Sequence, residues 1–126
     1  MNVVQKVPDR TPIRNVLISV YDKTGLEDLV TGLLAHSPEV RIYSTGGTYK
    51  AIETLLGSKA GTHLVQVSDY TGQPEMQGGL VKTLDYKIYL GLLSEPVNPD
   101  HDADLARVGA IKFDLTVVNL YPFWDA

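Results

Sequence analysis

The pattern of hydrophobic positions first picks out four short apolar blocks. The stretch "RNVLISV" (14–20) is continuously apolar and rich in β-branched residues, which is typical of a strand buried on both faces. The stretches "VRIYS" (40–44) and "HLVQV" (63–67) have a similar character, and "LTVVNL" lies within the segment 113–123. The sequence therefore predicts a strand at each of these four places.

Segments with a helical spacing of apolar residues lie between the predicted strands. The segment 21–36 repeats apolar residues at every third or fourth position, as an amphipathic helix does. These residues are Leu26, Leu29, Val30, Leu33 and Leu34. We expect Thr24 or Asp22 to cap this helix. A second helix is predicted over 48–57, with Gly57 closing it.

The remaining segments carry weaker signals. The stretch 68–79 is rich in turn-forming residues and is long enough for a functional loop. The stretch 80–93 is ambiguous between strand and helix, and 98–109 predicts a short helix. Residues 1–13 are polar and contain two prolines, so we expect a flexible lead-in to a single domain over 14–126.

Strands that alternate with helices predict an α/β fold. Right-handed crossovers would place helices on both faces of the sheet, giving a three-layer α/β/α architecture with a mostly parallel sheet of about five strands. The chain has 126 residues, of which 44% are hydrophobic, and this is enough for one buried core.

Charge and composition exclude several classes of function. The net charge of −4 and the pI of about 5.2 argue against general nucleic-acid binding but allow a local basic pocket for a small anion. The absence of cysteine excludes disulfides and a thiol nucleophile. The three histidines are scattered and predict no metal site. No run of roughly 18 apolar residues predicts a membrane span, and we expect a cytoplasmic protein.

Four polar segments follow directly after predicted strands or apolar runs. They are "YDKTG" (21–25), "STGGT" (44–48), "VKTL" (81–84) and "NLYPF" (119–123). Parallel sheets bind their ligands beyond the carboxyl ends of the strands. We therefore expect these four segments to meet at one edge and to form the functional site.

The segment "STGGT" has the residues of a phosphate cradle. Its hydroxyls are donors, its glycines allow close backbone approach, and it opens a helix whose free N–H groups favour an anion. An ordinary strand-to-helix turn has the same composition. Lys23 is either a cation for the same anion or a solvated side chain. Lys82 is either a functional cation or a lysine that reaches solvent, and Tyr121 either a site residue or a core aromatic.

The chain as a whole resembles one family. The motifs "LISVYDKTGL", "YSTGGTYKAI", "VSDYTGQPEMQGGLVKTL", "KIYLGLL" and "DLTVVNLYPF" occur in the order seen in the IMP cyclohydrolase domain of bifunctional purine-biosynthesis proteins, which has the methylglyoxal synthase-like fold. The resemblance covers about Arg14 to Phe123. The combination of "SDYTG-x-PEM", "VKTL" and "NLYPF" is specific to that family, whereas "STGGT" occurs throughout the wider fold.

The resemblance implies an activity and a set of site residues. The activity is ring closure of a formylated aminoimidazole carboxamide ribonucleotide (FAICAR) to inosine monophosphate (IMP), with loss of water and without a metal or organic cofactor. The implied catalytic residues are Lys82, Thr83 and Tyr121. The implied phosphate-binding and substrate-binding residues are Ser19, Lys23, Thr24, Ser44, Thr45, Gly46, Gly47, Thr48 and Asn119. The resemblance also implies a homodimer, in which Tyr86, Tyr89 and Leu90 could take part.

The chain departs from the family pattern at several positions. Leu80 stands where the family has an arginine, which removes a bidentate donor and a positive charge. Asp85 replaces a histidine and adds a negative charge beside an anionic ligand. Tyr21 replaces a small serine. The remaining departures are Gly78 for an aspartate, Tyr86 for a proline and Tyr89 for a histidine.

These departures leave a second hypothesis open, a non-catalytic or regulatory nucleotide-binding module of the same fold. A phosphate-eliminating synthase of the methylglyoxal type is a weaker third. In the family, the domain continues past "NLYPF" into an "IDIGG" segment and then a formyltransferase domain. We therefore expect a divergent stand-alone domain, a fragment, or a chain whose missing groups come from a separate polypeptide.

Overall fold

A computed structural model describes residues 12–72, 86–95 and 98–119. Within these ranges the chain forms four strands, each inside a stretch where the hydrophobic pattern predicted one. They are β1 (Asn15–Val20), β2 (Arg41–Ser44), β3 (Leu64–Gln66) and β4 (Leu115–Asn119). The described residues thus hold four strands where the sequence predicted about five. The predicted lead-in lies mostly outside the described residues and stays a prediction.

Helices connect the strands. They are α1 (Leu26–His36), α2 (Gly46–Leu56), α3 (Ala60–His63), α4 (Val67–Thr71), α5 (Tyr86–Leu93) and α6 (Pro99–Val108), with a 3-10 turn at Gly57–Lys59. Gly57 ends α2 with a φ of 56°, which confirms the predicted stop. Asn98 caps α6, the helix predicted over 98–109, by accepting from the N–H groups of Asp100 and His101.

Two sequence predictions about local structure are wrong. Gly25, with a φ of 80°, is the N-cap of α1 and makes no side-chain cap, so neither Thr24 nor Asp22 caps that helix. The predicted loop over 68–79 begins instead as the short helix α4, while its part at 73–79 lies outside the described residues and stays a prediction. The first residue of α4, Val67, is fully buried, and this burial outweighs the turn-forming composition of the residues that follow.

The sheet is parallel, with the strand order β3-β2-β1-β4. The first strand along the chain is therefore central, and the last described strand lies beside it. In register, Val16 is opposite Ile42 on one side and Leu115 on the other. This order confirms the predicted parallel α/β class.

One face of the sheet is covered by α1 and α2. Alternate residues of β1, namely Val16, Ile18 and Val20, are buried in the same cluster as Val30 of α1 and Ile52 of α2. The period-2 alternation of a strand sends these three side chains to a common face.

The opposite face packs against α4 and α5. Leu17 and Tyr43 from the sheet are buried with Val67 and Ile88. Tyr43 also makes an edge-to-face contact with Phe113, their ring centroids 5.5 Å apart. Burial raises the pKa of the Tyr43 phenol. Helices thus cover both faces, which confirms the three-layer architecture.

Candidate functional site

The carboxyl ends of β1, β2 and β4 lie at one edge of the sheet, where the sequence predicted the site. Val20, the last residue of β1, is opposite Asn119, the last residue of β4. Ser44 ends the neighbouring strand β2 at the same edge, next to Ile18 of β1. The loop 21–25 and the start of α2 both leave from this edge, because parallel strands deliver their following segments to the same side.

Lys23 lies against the first turn of α2. A Cβ atom placed on Gly47 would be 3.7 Å from the Lys23 ammonium nitrogen, so this side chain passes directly beside that glycine. The same nitrogen donates to the carbonyl oxygens of Val20 at 3.4 Å and Tyr21 at 3.3 Å. The structure therefore brings Lys23 and the segment 44–48 together, as their positions after neighbouring strands predicted.

The first turn of α2 adds a second source of positive potential. Thr45 is the N-cap in extended conformation, and the first intrahelical bond runs from the N–H of Tyr49 to the carbonyl of Thr45, at 3.2 Å. The N–H groups of Gly46, Gly47 and Thr48 precede that bond and have no acceptor within the helix. Such N–H groups, together with the helix dipole, favour an anion. The ammonium and the helix terminus thus meet at one point.

The hydroxyls of Ser44 and Thr48 hold the sheet edge in place. Ser44, fully buried, donates its hydroxyl to the carbonyl of Ile18 at 2.7 Å. The Thr48 hydroxyl donates to the carbonyl of Val20 at 3.0 Å and accepts from its N–H at 3.2 Å. The Ser44 bond ties β2 to β1, and the Thr48 bonds tie α2 to the last residue of β1. The two hydroxyls predicted to bind phosphate therefore have backbone partners within the protein.

Thr24 and Asp22, each of which the sequence predicts as a possible helix cap, form a local turn with each other instead. The Asp22 carboxylate accepts from the Thr24 hydroxyl at 2.7 Å and from the Thr24 N–H at 2.9 Å. These two hydrogen bonds, the hydroxyl first, lower the pKa of Asp22 below its ordinary value of 3.8. The Asp-x-Thr spacing is the signal that identifies such a turn in the sequence. Ser19 is half-buried on β1, opposite Val118.

Asn119 contacts the same loop from β4. Its side-chain oxygen accepts from the N–H of Tyr21 at 2.6 Å and of Asp22 at 2.9 Å. Its side-chain nitrogen donates to the carbonyl of Asp22 at 2.8 Å. The asparagine that the resemblance assigned to the ligand thus also makes three hydrogen bonds to the Lys23 loop.

The predicted catalytic residues Lys82, Thr83 and Tyr121 lie outside the described residues, as do Leu80 and Asp85. In the three described ranges, no three histidine or carboxylate side chains are grouped so that they could hold a metal ion. No helix in those ranges combines the length and apolar character needed to cross a bilayer.

Comparisons with known proteins give the relationships of the chain. Residues 25–126 match the profile of the family described as "MGS-like domain". The chain is 50% identical over 114 residues to the bifunctional purine biosynthesis protein PurH of Mycobacterium ulcerans strain Agy99, covering 90% of this chain and 20% of that protein. It is 43% identical over 126 residues to PurH of Rhizobium etli strain CIAT 652, covering 98% of this chain and 22% of that protein.

A solved structure agrees with these sequence relationships. The structure titled "Crystal structure of ForH" superposes with a TM-score of 0.68 at 30% identity, covering 86% of this chain and 53% of that one. The chain spans about a fifth of the length of the two curated relatives named above. The match over residues 25–126, with the parallel three-layer fold, shows that this chain belongs to the MGS-like domain family.

Proposed function

We propose that the carboxyl edge of the sheet binds the 5′-phosphate of a purine-precursor ribonucleotide. The observation that carries this proposal is the convergence of the Lys23 ammonium with the first turn of α2 at Gly47. A phosphate there would accept from the N–H groups of Gly46, Gly47 and Thr48 and form a charge-assisted hydrogen bond with Lys23. The glycines leave room for the phosphate oxygens to reach the backbone.

We propose that this chain is an IMP cyclohydrolase-like domain. Its reaction would be ring closure of FAICAR to IMP. The carboxamide nitrogen attacks the formyl carbon of the same molecule, and water leaves. Holding the two groups in contact removes most of the entropic barrier, and a lysine near the formyl oxygen stabilises the negative charge that develops on it. We assign that lysine role to Lys82, with Thr83 and Tyr121 beside the reacting groups. No cofactor is required, and we expect the reaction to take place in the cytoplasm.

The names of the relatives and the extent of the family match support this proposal. Both curated relatives are named as bifunctional purine biosynthesis proteins, and the family match over residues 25–126 includes "VKTL" and "NLYPF" of this chain. Because the matched part is about a fifth of those proteins, a separate polypeptide or a following segment could contribute further groups to the site.

A direct assay tests the reaction. Purified protein should convert FAICAR to IMP, and Lys82→Ala should lower the rate by two to three orders of magnitude, about the effect of removing one group that stabilises an oxyanion. Calorimetry with IMP should show binding in both proteins. Binding by both proteins without turnover by either would contradict the enzyme proposal.

That same outcome would support a second candidate, a non-catalytic nucleotide-binding module. Leu80 and Asp85 favour this candidate, because each makes the site less attractive to an anionic substrate. Tyr21 adds a bulky ring, 47% exposed, to the loop that carries Lys23. The module would keep the phosphate-binding edge and lack the reactive half.

A homodimer is part of the proposal as well. Tyr89 and Leu93 on α5 are 44% and 76% exposed, so this helix presents an apolar surface. Light scattering at high protein concentration should give twice the mass of the chain. A monomer under those conditions would exclude the dimer.

A further inference from the structure

The Lys23 ammonium and the Asn119 carboxamide bind opposite ends of the same two peptide groups. The peptide between Val20 and Tyr21 offers its carbonyl to Lys23 at 3.4 Å and its N–H to Asn119 at 2.6 Å. The peptide between Tyr21 and Asp22 offers its carbonyl to Lys23 at 3.3 Å and its N–H to Asn119 at 2.9 Å. Two successive peptides therefore connect one side chain to the other.

The geometry of a peptide makes this connection rigid. A trans peptide is planar, so its N–H and its carbonyl point in opposite directions and turn together. When the Asn119 oxygen fixes both N–H groups, it also fixes the directions of the two carbonyls that receive the Lys23 ammonium. The Asn119 nitrogen adds a third anchor at the carbonyl of Asp22, at 2.8 Å.

The hydrogen-bonding capacity of Asn119 points the same way. A carboxamide has two acceptor positions and two N–H donors. The loop occupies both acceptor positions and one donor. One N–H is therefore left for any other partner. The loop uses three of the four hydrogen-bonding positions of this side chain.

We infer that Asn119 is a positioning residue that acts on phosphate binding through Lys23. It holds the two carbonyls that place the ammonium beside Gly47, at the N-terminus of α2. This inference rests on the proposed phosphate site. It differs from the expectation that Asn119 contacts the nucleotide itself, and the two roles make different predictions for a double mutant.

A double-mutant cycle separates the two roles. The affinity for ribose 5-phosphate is measured by calorimetry for the wild type, Asn119→Ala, Lys23→Gln and the double variant. We expect each single variant to bind about tenfold more weakly, the range of a lost charge-assisted contact. In the Lys23→Gln background, Asn119→Ala should cost less than about twofold, because the group through which it acts is already gone.

Additive losses would overturn the inference and would assign Asn119 to a direct ligand contact. The folded fraction of each variant is checked by circular dichroism at the assay temperature, since a purely structural effect of Asn119→Ala would lower stability equally in both backgrounds. If Asn119→Ala does not fold, Asn119→Thr takes its place in the same cycle, because threonine suits a strand and also removes the carboxamide.

Asn15 provides a matched control. Its side-chain nitrogen donates to the carbonyl of Lys112 at 3.2 Å, so it also ties a strand to a loop, but at the opposite end of β1. Asn15→Ala should leave the ribose 5-phosphate affinity within about twofold of the wild type. If the wild type itself does not bind ribose 5-phosphate, the proposed phosphate site fails. If the wild type binds and the cycle is additive, only the role of Asn119 fails.

Discussion

At the scale of single residues, Gly91 has no room for a side chain. A Cβ at this position would overlap the carbonyl oxygen of Ile111 and lie 2.8 Å from a ring carbon of Phe113. The backbone also bonds here, since the N–H of Phe113 donates to the carbonyl of Gly91 at 3.1 Å. We expect Gly91→Ala to push α5 away from residues 111–113 and to lower the free energy of unfolding by about 1–3 kcal/mol.

Urea denaturation measures this effect, with Gly32→Ala as the control. Gly32 lies on α1 with no heavy atom within 4 Å of its Cβ position. Alanine there should raise the stability by about 0.4–1 kcal/mol, because it restricts the unfolded chain and favours the helix. Similar effects of the two substitutions would contradict the close packing at Gly91.

Asp22 gives a prediction about pH at the same scale. Because its pKa is lowered in the folded protein, its contribution to stability is present above the ordinary value of 3.8 and is lost as the pH falls through the lowered value. In an NMR titration the Asp22 carboxyl should titrate below 3.8. Thr24→Ala removes the hydroxyl bond to Asp22 and should move the titration midpoint of Asp22 up toward 3.8. The control Thr54→Ala removes a hydroxyl that bonds to the Lys50 carbonyl on α2, and it should leave the Asp22 midpoint unchanged. An unchanged midpoint in Thr24→Ala would contradict the assigned cause.

At the scale of elements, α6 depends on its first turn. Asn98 is 1% exposed, and its oxygen accepts from the N–H groups of Asp100 at 3.1 Å and His101 at 3.2 Å. We expect Asn98→Ala to cost about 1–2 kcal/mol of unfolding free energy, since it removes the cap and leaves two part-buried N–H groups without this acceptor. Asn98→Ser keeps a capping oxygen and should cost less. Equal losses in chemical denaturation would show that the cap is not the source of the stability.

The elements also differ in how well the sequence alone predicts them. Strands β1 and β2 could be predicted from apolar runs because side chains on both of their faces are buried. Strand β4 was predicted from a similar run, although Thr116 and Val118 on one of its faces are exposed. The start of α1 could not be read in the same way. Both Thr24 and Asp22 are good capping residues, but they bond to each other, and Gly25 takes the left-handed conformation at the helix start. Local composition cannot decide between these two arrangements.

At the scale of the whole molecule, strand order decides which residues share a site. The sequence predicted a common edge for the segments that follow the strands, but not that β4 would lie beside β1. That neighbourhood depends on packing between segments about 100 residues apart, as in the bond from the Tyr21 N–H to Asn119. The motifs therefore identify Asn119 and Lys23 separately but cannot predict the link between them.

The protein has a net charge of −4, so its overall charge repels a phosphate and any binding must come from local groups such as Lys23. Binding of a small phosphate therefore tests the proposed phosphate site. A ligand that binds only the folded protein stabilises it, by about 2.7 kcal/mol at a concentration 100 times its dissociation constant. We expect ribose 5-phosphate to raise the melting temperature of the wild type by several degrees and to have little effect on Lys23→Gln. Lys50 lies exposed on the second turn of α2, the helix whose first turn Lys23 contacts. Lys50→Gln therefore removes the same charge away from the proposed site and should respond like the wild type. If both lysine variants lost the response equally, the loss would follow from the more negative net charge of the variants, and the placement of Lys23 beside Gly47 would not be its cause.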